Sequence, residues 1–206
     1  GEEDAETHEN FHQGSEQPLW IIDPIDGTTN FSRQIPHFCV SLACSIKGKI
    51  EHAVIIHPVT NDEYVASRGK GAQLNGRKIR VSQREQIAGS VFACAGRFPK
   101  GPVRDGHAKL CEAIDEGDGN FREPGSAALE LANLAAGRID GVWIRRVNLW
   151  DFAAGALLVQ EAGGLAGDFV GGVQHFKTGD IVAANPKLFK VLGGLVREHL
   201  GPHATK

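Results

Sequence analysis

Asp23 and Asp26 stand three residues apart in the stretch Asp23-Pro24-Ile25-Asp26-Gly27-Thr28-Thr29-Asn30-Phe31. Pro24 bends the chain between them, and two carboxylates held close repel each other unless a proton or a cation lies between them. Hard oxygen ligands of this kind suit Mg²⁺, and the backbone carbonyl of Ile25 can add another oxygen. Gly27 allows a ligand to approach the backbone closely, and N–H groups exposed in such a turn can hold a phosphate. Metal-binding carboxylates beside a phosphate-binding turn are the parts of a phosphoryl-transfer site. An acidic turn with helix-capping roles would use the same residues. A second acidic element is Trp150-Asp151-Phe152-Ala153-Ala154-Gly155. Asp151 reads first as the N-cap of a helix, with metal ligation as the other reading. The small Ala153, Ala154 and Gly155 allow close approach to the backbone at that helix start. His8, His12 and His57 have no neighbours at ligand spacing and read as surface or strand residues.

These residues must be held by the elements around them. Leu19–Ile22 is a short apolar run that fits a buried strand, and Pro24 and Gly27 break regular structure after it into a shaped turn. Residues 38–46, 50–57 and 62–67 read as strands, and Asn75-Gly76 is a strong hairpin signal. Successive strands with short links predict an antiparallel sheet. From residue 90 the pattern changes to alternating strands (90–95, 119–123, 139–144, 180–184) and helices (103–116, then Ser126 as a cap to about 136, then 152–162). Gly137 and the pair Gly163-Gly164 stop two of those helices. Asn185-Pro186 opens a last helix, with Leu188, Leu192 and Leu195 on one face. Residues 1–18 are polar and acidic and read as a loop. The fold class is α/β, an α+β layered sandwich. An antiparallel-sheet half (1–89) carries the first metal motifs, and a smaller α/β half with a mixed or parallel sheet (90–206) carries the second. Together they form one compact catalytic unit.

Composition narrows the function classes. The chain has 206 residues, 41% hydrophobic and 23% charged, which is ordinary for a globular protein. No stretch approaches about 18 uninterrupted apolar residues, so no membrane partner is expected. Lys and Arg number 22 against 25 Asp and Glu, a net charge of −3. That balance gives no footprint for direct nucleic-acid binding or an anionic membrane. An anionic substrate must therefore be met by a local device, such as a metal ion. Cys39, Cys44, Cys94 and Cys111 include no Cys-x-x-Cys pair. They read as reduced thiols, and with no signal-peptide pattern the expected location is cytoplasmic. The chain begins Gly1-Glu2-Glu3-Asp4 and contains no methionine. It reads as a fragment lacking its N-terminal part.

The motifs together resemble the inositol monophosphatase family. Residues 23–31 match its first signature, and Trp150-Asp151-x-Ala-Ala-Gly, followed by Glu161-Ala-Gly-Gly164, matches its second. Gly1-Glu2-Glu3, Gly69-Lys-Gly-Ala72 and Leu74-Asn-Gly-Arg77 also look like the family. The resemblance implies that Glu2, Asp23 and the Ile25 carbonyl bind one Mg²⁺, and that Asp23, Asp26 and Asp151 bind a second. It implies that Glu2 and Thr28, with Asp23, orient and activate the attacking water. The backbone N–H groups of Gly27 and Thr28 would hold the phosphate, with Asp26, Ala127 and Asp151 also on the substrate side. The implied activity is hydrolysis of inositol 1-phosphate-like polyol phosphates by metal-activated water, in a homodimer. Fructose bisphosphate, histidinol phosphate and nucleotide 3′-phosphate are alternative substrates. The Gly-Thr-Thr-Asn continuation favours the inositol type over the nucleotidase type, which usually has Lys there. One bacterial relative acts as a protein partner in ribosomal RNA transcription complexes, which sets a binding role beside the enzymatic one.

The resemblance also marks departures. The family's first helices and some strand structure precede its Gly-Glu-Glu motif and are missing here. With them go an acidic partner for the threonine and a basic residue near a third metal. Inositol-specific members carry a Glu that binds sugar hydroxyls at the position of Ile144, which is followed here by Arg145 and Arg146. Either Ile144 simply completes a strand, or the substrate is not myo-inositol phosphate or is bound loosely, as in a broad phosphatase. The two arginines either face solvent or attract a second anionic group.

Overall fold

The computed structural model describes residues 17–204. Two sheets organise the chain. The first is an antiparallel meander of six strands in sequence order: β1 (Leu19–Asp26), β2 (Cys39–Ile46), β3 (Lys49–His57), β4 (Asp62–Ser67), β5 (Gly71–Leu74) and β6 (Arg77–Ile79). Asn75 and Gly76 both adopt positive φ between β5 and β6, as a tight hairpin turn requires. The second sheet has the order β10-β11-β9-β7-β8, from β7 (Val91–Gly96), β8 (Asn120–Arg122), β9 (Gly141–Arg145), β10 (Leu165–Gly167) and β11 (Ile181–Ala184). β7 pairs in parallel with β8 and β9, while β11 pairs antiparallel with β9 and β10. The antiparallel sheet followed by a mixed α/β sheet is the class expected from the sequence.

Six α-helices and a 3₁₀ turn (Gly201–His203) complete the described chain, the α-helices being α1 (Thr28–Ser32), α2 (Pro102–Glu116), α3 (Ala127–Ala135), α4 (Leu149–Glu161), α5 (His175–Thr178) and α6 (Pro186–His199). α3 and α4 pack on each other between the sheets, while α2 and α6 cover the far face of the second sheet. Both faces of the central strands β7, β9 and β11 are therefore buried, and these strands are mostly apolar. Side chains alternate between two cores. Ala93, Ala95, Val142, Ile144, Ile181 and Ala183 join the core around α3 and α4. Phe92, Cys94, Trp143, Val182 and Ala184 join the core under α2 and α6, with Leu188, Leu192 and Val196 of α6. Leu195 lies at the edge of that core.

Two local departures from the sequence expectation shape the site. The first strand was expected to stop at Ile22, but β1 runs on to Asp26. Among the described residues it is the edge of its sheet, a position that tolerates the missing N–H of Pro24. Its register against β2 shifts between Asp23 and Asp26. In a regular strand, residues three apart point to opposite faces; the irregularity removes that separation. The second departure is the start of α4. It begins at Leu149 with Asn148 as N-cap, so Asp151 is its third residue rather than its cap. The Asp151 carboxylate instead accepts the Asn148 N–H at 2.8 Å, folding back on the helix start. Short β10, α5 and α1 carry too few residues for a periodic signal.

Candidate metal centre

The bulged end of β1 and the first turn of α4 bring Asp23, Asp26 and Asp151 together. One carboxylate oxygen from each lies within 4.8 Å of the others. Asp23 is 2% exposed and Asp26 9%, and no Lys or Arg forms an ion pair with Asp26 or Asp151 among the described residues. Burial pushes the Asp26 carboxyl up to about 6, with the charge of Asp23 adding to it. The Ser126 hydroxyl, at 2.7 Å, and the Ala128 N–H, at 2.7 Å, donate to Asp26 Oδ2 and pull the other way. Asp151 is raised as well, by burial first and then by the charges of Asp26 and Asp23. Three oxygen-rich side chains, two buried and one half-buried, and mutually repelling, fit a hard divalent cation. The Ile25 N–H donates to Asp23 Oδ1 at 3.0 Å, which fixes that carboxylate against its own turn.

Asp26 is supported from the start of α3. Ser126 caps α3, accepting from the Leu129 N–H at 3.4 Å while donating to Asp26. The positive end of that helix thus faces a carboxylate. Ser126 was legible as a cap in the sequence, but its bond to a residue one hundred positions away was not. Beneath lie Cys39, whose thiol is pushed up by burial and by Asp26, and the pair His37 Nε2 to Glu130 Oε1 at 2.7 Å. Glu130 is buried on α3 and had no signal in the sequence beyond its type.

A cleft of about 450 Å³ opens over the carboxylates. Ile25, Gly27 and Thr28 line it together with the three aspartates, so the first motif is assembled as a single surface. Gly27 has a φ of 92°, and a side chain there would press on the His37 carbonyl at 3.1 Å. Thr28 begins α1, which has no side-chain cap. Asn30 secures this turn, donating to the carbonyls of His37 at 2.8 Å and Pro124 at 2.7 Å. Gly96, Arg97, Arg146 and Asn148 form the opposite wall; sequence reasoning missed Arg97 and Asn148.

Other candidates fall elsewhere. Glu2, His8 and His12 lie outside the described residues. Ala127 is buried in the core and does not line the cleft; it is the N–H of its neighbour Ala128 that reaches Asp26. Ile144 is fully buried and shares its face with Val142, toward α3 and α4, so this position contributes no wall to the cleft. Arg145 is also buried, and Arg146 alone of the pair reaches the cleft. His57 ends β3, with its ring bonded to Thr60 and Pro36. Glu161 accepts the N–H groups of Gly69 and Gly71, both at 2.8 Å, so those two family-like motifs clamp α4 to the first sheet.

The sequence pattern of the Inositol monophosphatase family matches residues 1–200. The chain belongs to the inositol monophosphatase family. Among similar proteins, a Pseudomonas aeruginosa protein named Nus factor SuhB is 46% identical over 186 residues, covering 89% of this chain and 69% of that one. The Escherichia coli K12 protein of the same name is 43% identical, covering 91% and 71%. Among solved structures, the extragenic suppressor protein suhB of Bartonella henselae superposes with a TM-score of 0.84 at 38% identity, covering 88% of this chain and 70% of that one. Inositol monophosphatase from Anabaena gives 0.82 at 34% identity, covering 91% and 74%. The family supports a metal-dependent phosphatase, and the aspartate cluster is where this chain offers metal ligands.

Proposed function

We propose that the protein is a Mg²⁺-dependent phosphomonoesterase acting on small polyol phosphates of the inositol 1-phosphate kind. The observation that carries this reading is the trio Asp23, Asp26 and Asp151 at the floor of a cleft that also presents Gly27 and Thr28. Asp23, Asp26, Asp151 and the Ile25 carbonyl would hold the metal, with Glu2 as a further ligand. When bound, Mg²⁺ offsets phosphate charge, acidifies the attacking water and stabilises the leaving alkoxide. Thr28 has one hydroxyl proton and two lone pairs, so it relays a hydrogen bond between that water and a carboxylate. The backbone at Gly27 and Thr28 donates to the phosphate oxygens, and Asn30 keeps that turn in place. The Ser126 and Ala128 donors fix the Asp26 carboxylate before substrate arrives, so little reorganisation is left for the reaction. A cytoplasmic homodimer is part of this reading, by resemblance to the family; sedimentation at micromolar concentration checks it.

The deciding experiment is phosphate release from inositol 1-phosphate and glycerol 2-phosphate with Mg²⁺, with excess chelator and with Ca²⁺. Turnover that needs Mg²⁺ and is competed by Ca²⁺, which prefers longer bonds and more ligands, is expected. Turnover that persists in chelator overturns the reading. The relatives named Nus factor favour a second reading, a protein partner in ribosomal RNA transcription complexes. Absence of any phosphatase activity in Mg²⁺ would leave that one standing.

A further inference from the structure

Two arginines stand at the wall of the cleft with no acidic partner among the described residues. β7 and β9 are parallel neighbours with Gly96 opposite Arg145, so Arg97 and Arg146 leave the sheet side by side at the strands' carboxyl ends. That edge is where open α/β sheets bind ligands. Both residues line the cleft over the aspartates, and both line the adjoining hollow of about 680 Å³. Neither forms an ion pair among the described residues.

Their backbones are pinned while their side chains are exposed. Gly96 has a φ of 99°, and a Cβ there would come within 2.0 Å of the Arg145 carbonyl oxygen, so only glycine lets the two strand ends close up. The buried Arg145 guanidinium donates to the carbonyls of Arg97 at 3.0 Å and His203 at 3.2 Å, which makes Arg145 a positioning residue. Arg146 has a φ of 49°, and its N–H donates to the buried Asp180 at 3.0 Å. A left-handed conformation at a non-glycine residue costs free energy. Here it turns the chain so that Arg146 lies on the cleft.

We infer that Arg97 and Arg146 form a second anion-binding subsite, and that the preferred substrate is a phosphate ester bearing a further carboxylate or phosphate. Guanidinium forks bind either group bidentately. The phosphate to be cleaved sits over the aspartates, and the second anion reaches the arginines. This deepens the phosphatase reading and rests on it for which phosphate is removed.

Glycerol 2-phosphate and 2-phosphoglycerate differ by one carboxylate in place of a hydroxymethyl group, and inositol 1-phosphate and inositol 1,4-bisphosphate differ by one phosphate. The test measures kcat/KM for each in Mg²⁺, and calorimetric affinity in Ca²⁺, for the parent, Arg97→Gln, Arg146→Gln and the double variant, with melting temperature as the folding check. At least one of the more anionic esters should be preferred by about tenfold or more, through KM. Each single variant should cut that preference at least about threefold, and the double variant should bring it near one. The pair that responds tells carboxylate from phosphate. Equal kcat/KM within both pairs, or a preference that survives the double variant, overturns the subsite. If nothing is hydrolysed but affinity still follows the arginines, the phosphatase reading falls and the subsite stands. If nothing is hydrolysed and affinity ignores them, both fall.

Discussion

Asp26 is pulled two ways, up by burial and by Asp23, and down by Ser126 and Ala128, with a balance at about 6. Asp151 is raised further, to about 8, by burial and by the charges of Asp26 and Asp23, so protons compete with a metal for both carboxylates and Mg²⁺ affinity should fall as pH drops from about 8 through about 6. Calorimetry between about pH 5 and 8 checks this; constant affinity contradicts it. Asp23→Asn and Asp151→Asn should each lower turnover by at least about a hundredfold. In chelator neither should lower the melting temperature, because each removes a repelling carboxylate while an amide oxygen can still accept the backbone N–H it holds, that of Ile25 at position 23 and of Asn148 at position 151. A large loss of stability in chelator would make Asp151 chiefly a helix-start residue. Ile144→Glu should not retune specificity. It places a carboxyl in a fully apolar core and should cost about 3 kcal/mol or more, read as a lowered melting temperature. The acidic trio was legible because carboxylates around Pro and Gly have few uses. Ile144 and Ala127 were not, because which way a side chain points depends on strand register and helix phase.

At the scale of elements, hydrophobic runs and stop signals placed most strands and helices within a few residues. What they hid were consequences of pairing. The extension of β1 depends on its being an edge strand, and the true start of α4 depends on Asn148 capping it. The small residues of α4 show the same limit. Read as room for a ligand at the helix start, Gly155 instead lets α3 lie close, since a Cβ there would stand 2.4 Å from the Leu131 Cβ. Gly155→Ala should therefore push the two helices apart and destabilise the fold by about 1–3 kcal/mol, without shifting KM. A raised KM with unchanged melting temperature would return Gly155 to the ligand side.

Taken as one molecule, the two sheets meet at the candidate site. Asp23 and Asp26 hang from the first, Asp151 comes from the helix between them, and the arginines come from the second. Ion binding only to this assembled form should raise the melting temperature. At about a hundredfold excess over Kd the gain is about 2.7 kcal/mol, roughly 5–10 °C for a chain of this size. One feature governs how the chain breathes. α4 is enclosed on nearly every side, from Leu149 and Trp150 through Val159. No partial opening reaches its amides without parting both sheets, so they should exchange hydrogen for deuterium only through global unfolding, and slowest of all. The floor of the cleft is then a fixture on the timescale of catalysis, and substrates are admitted by whatever moves above it.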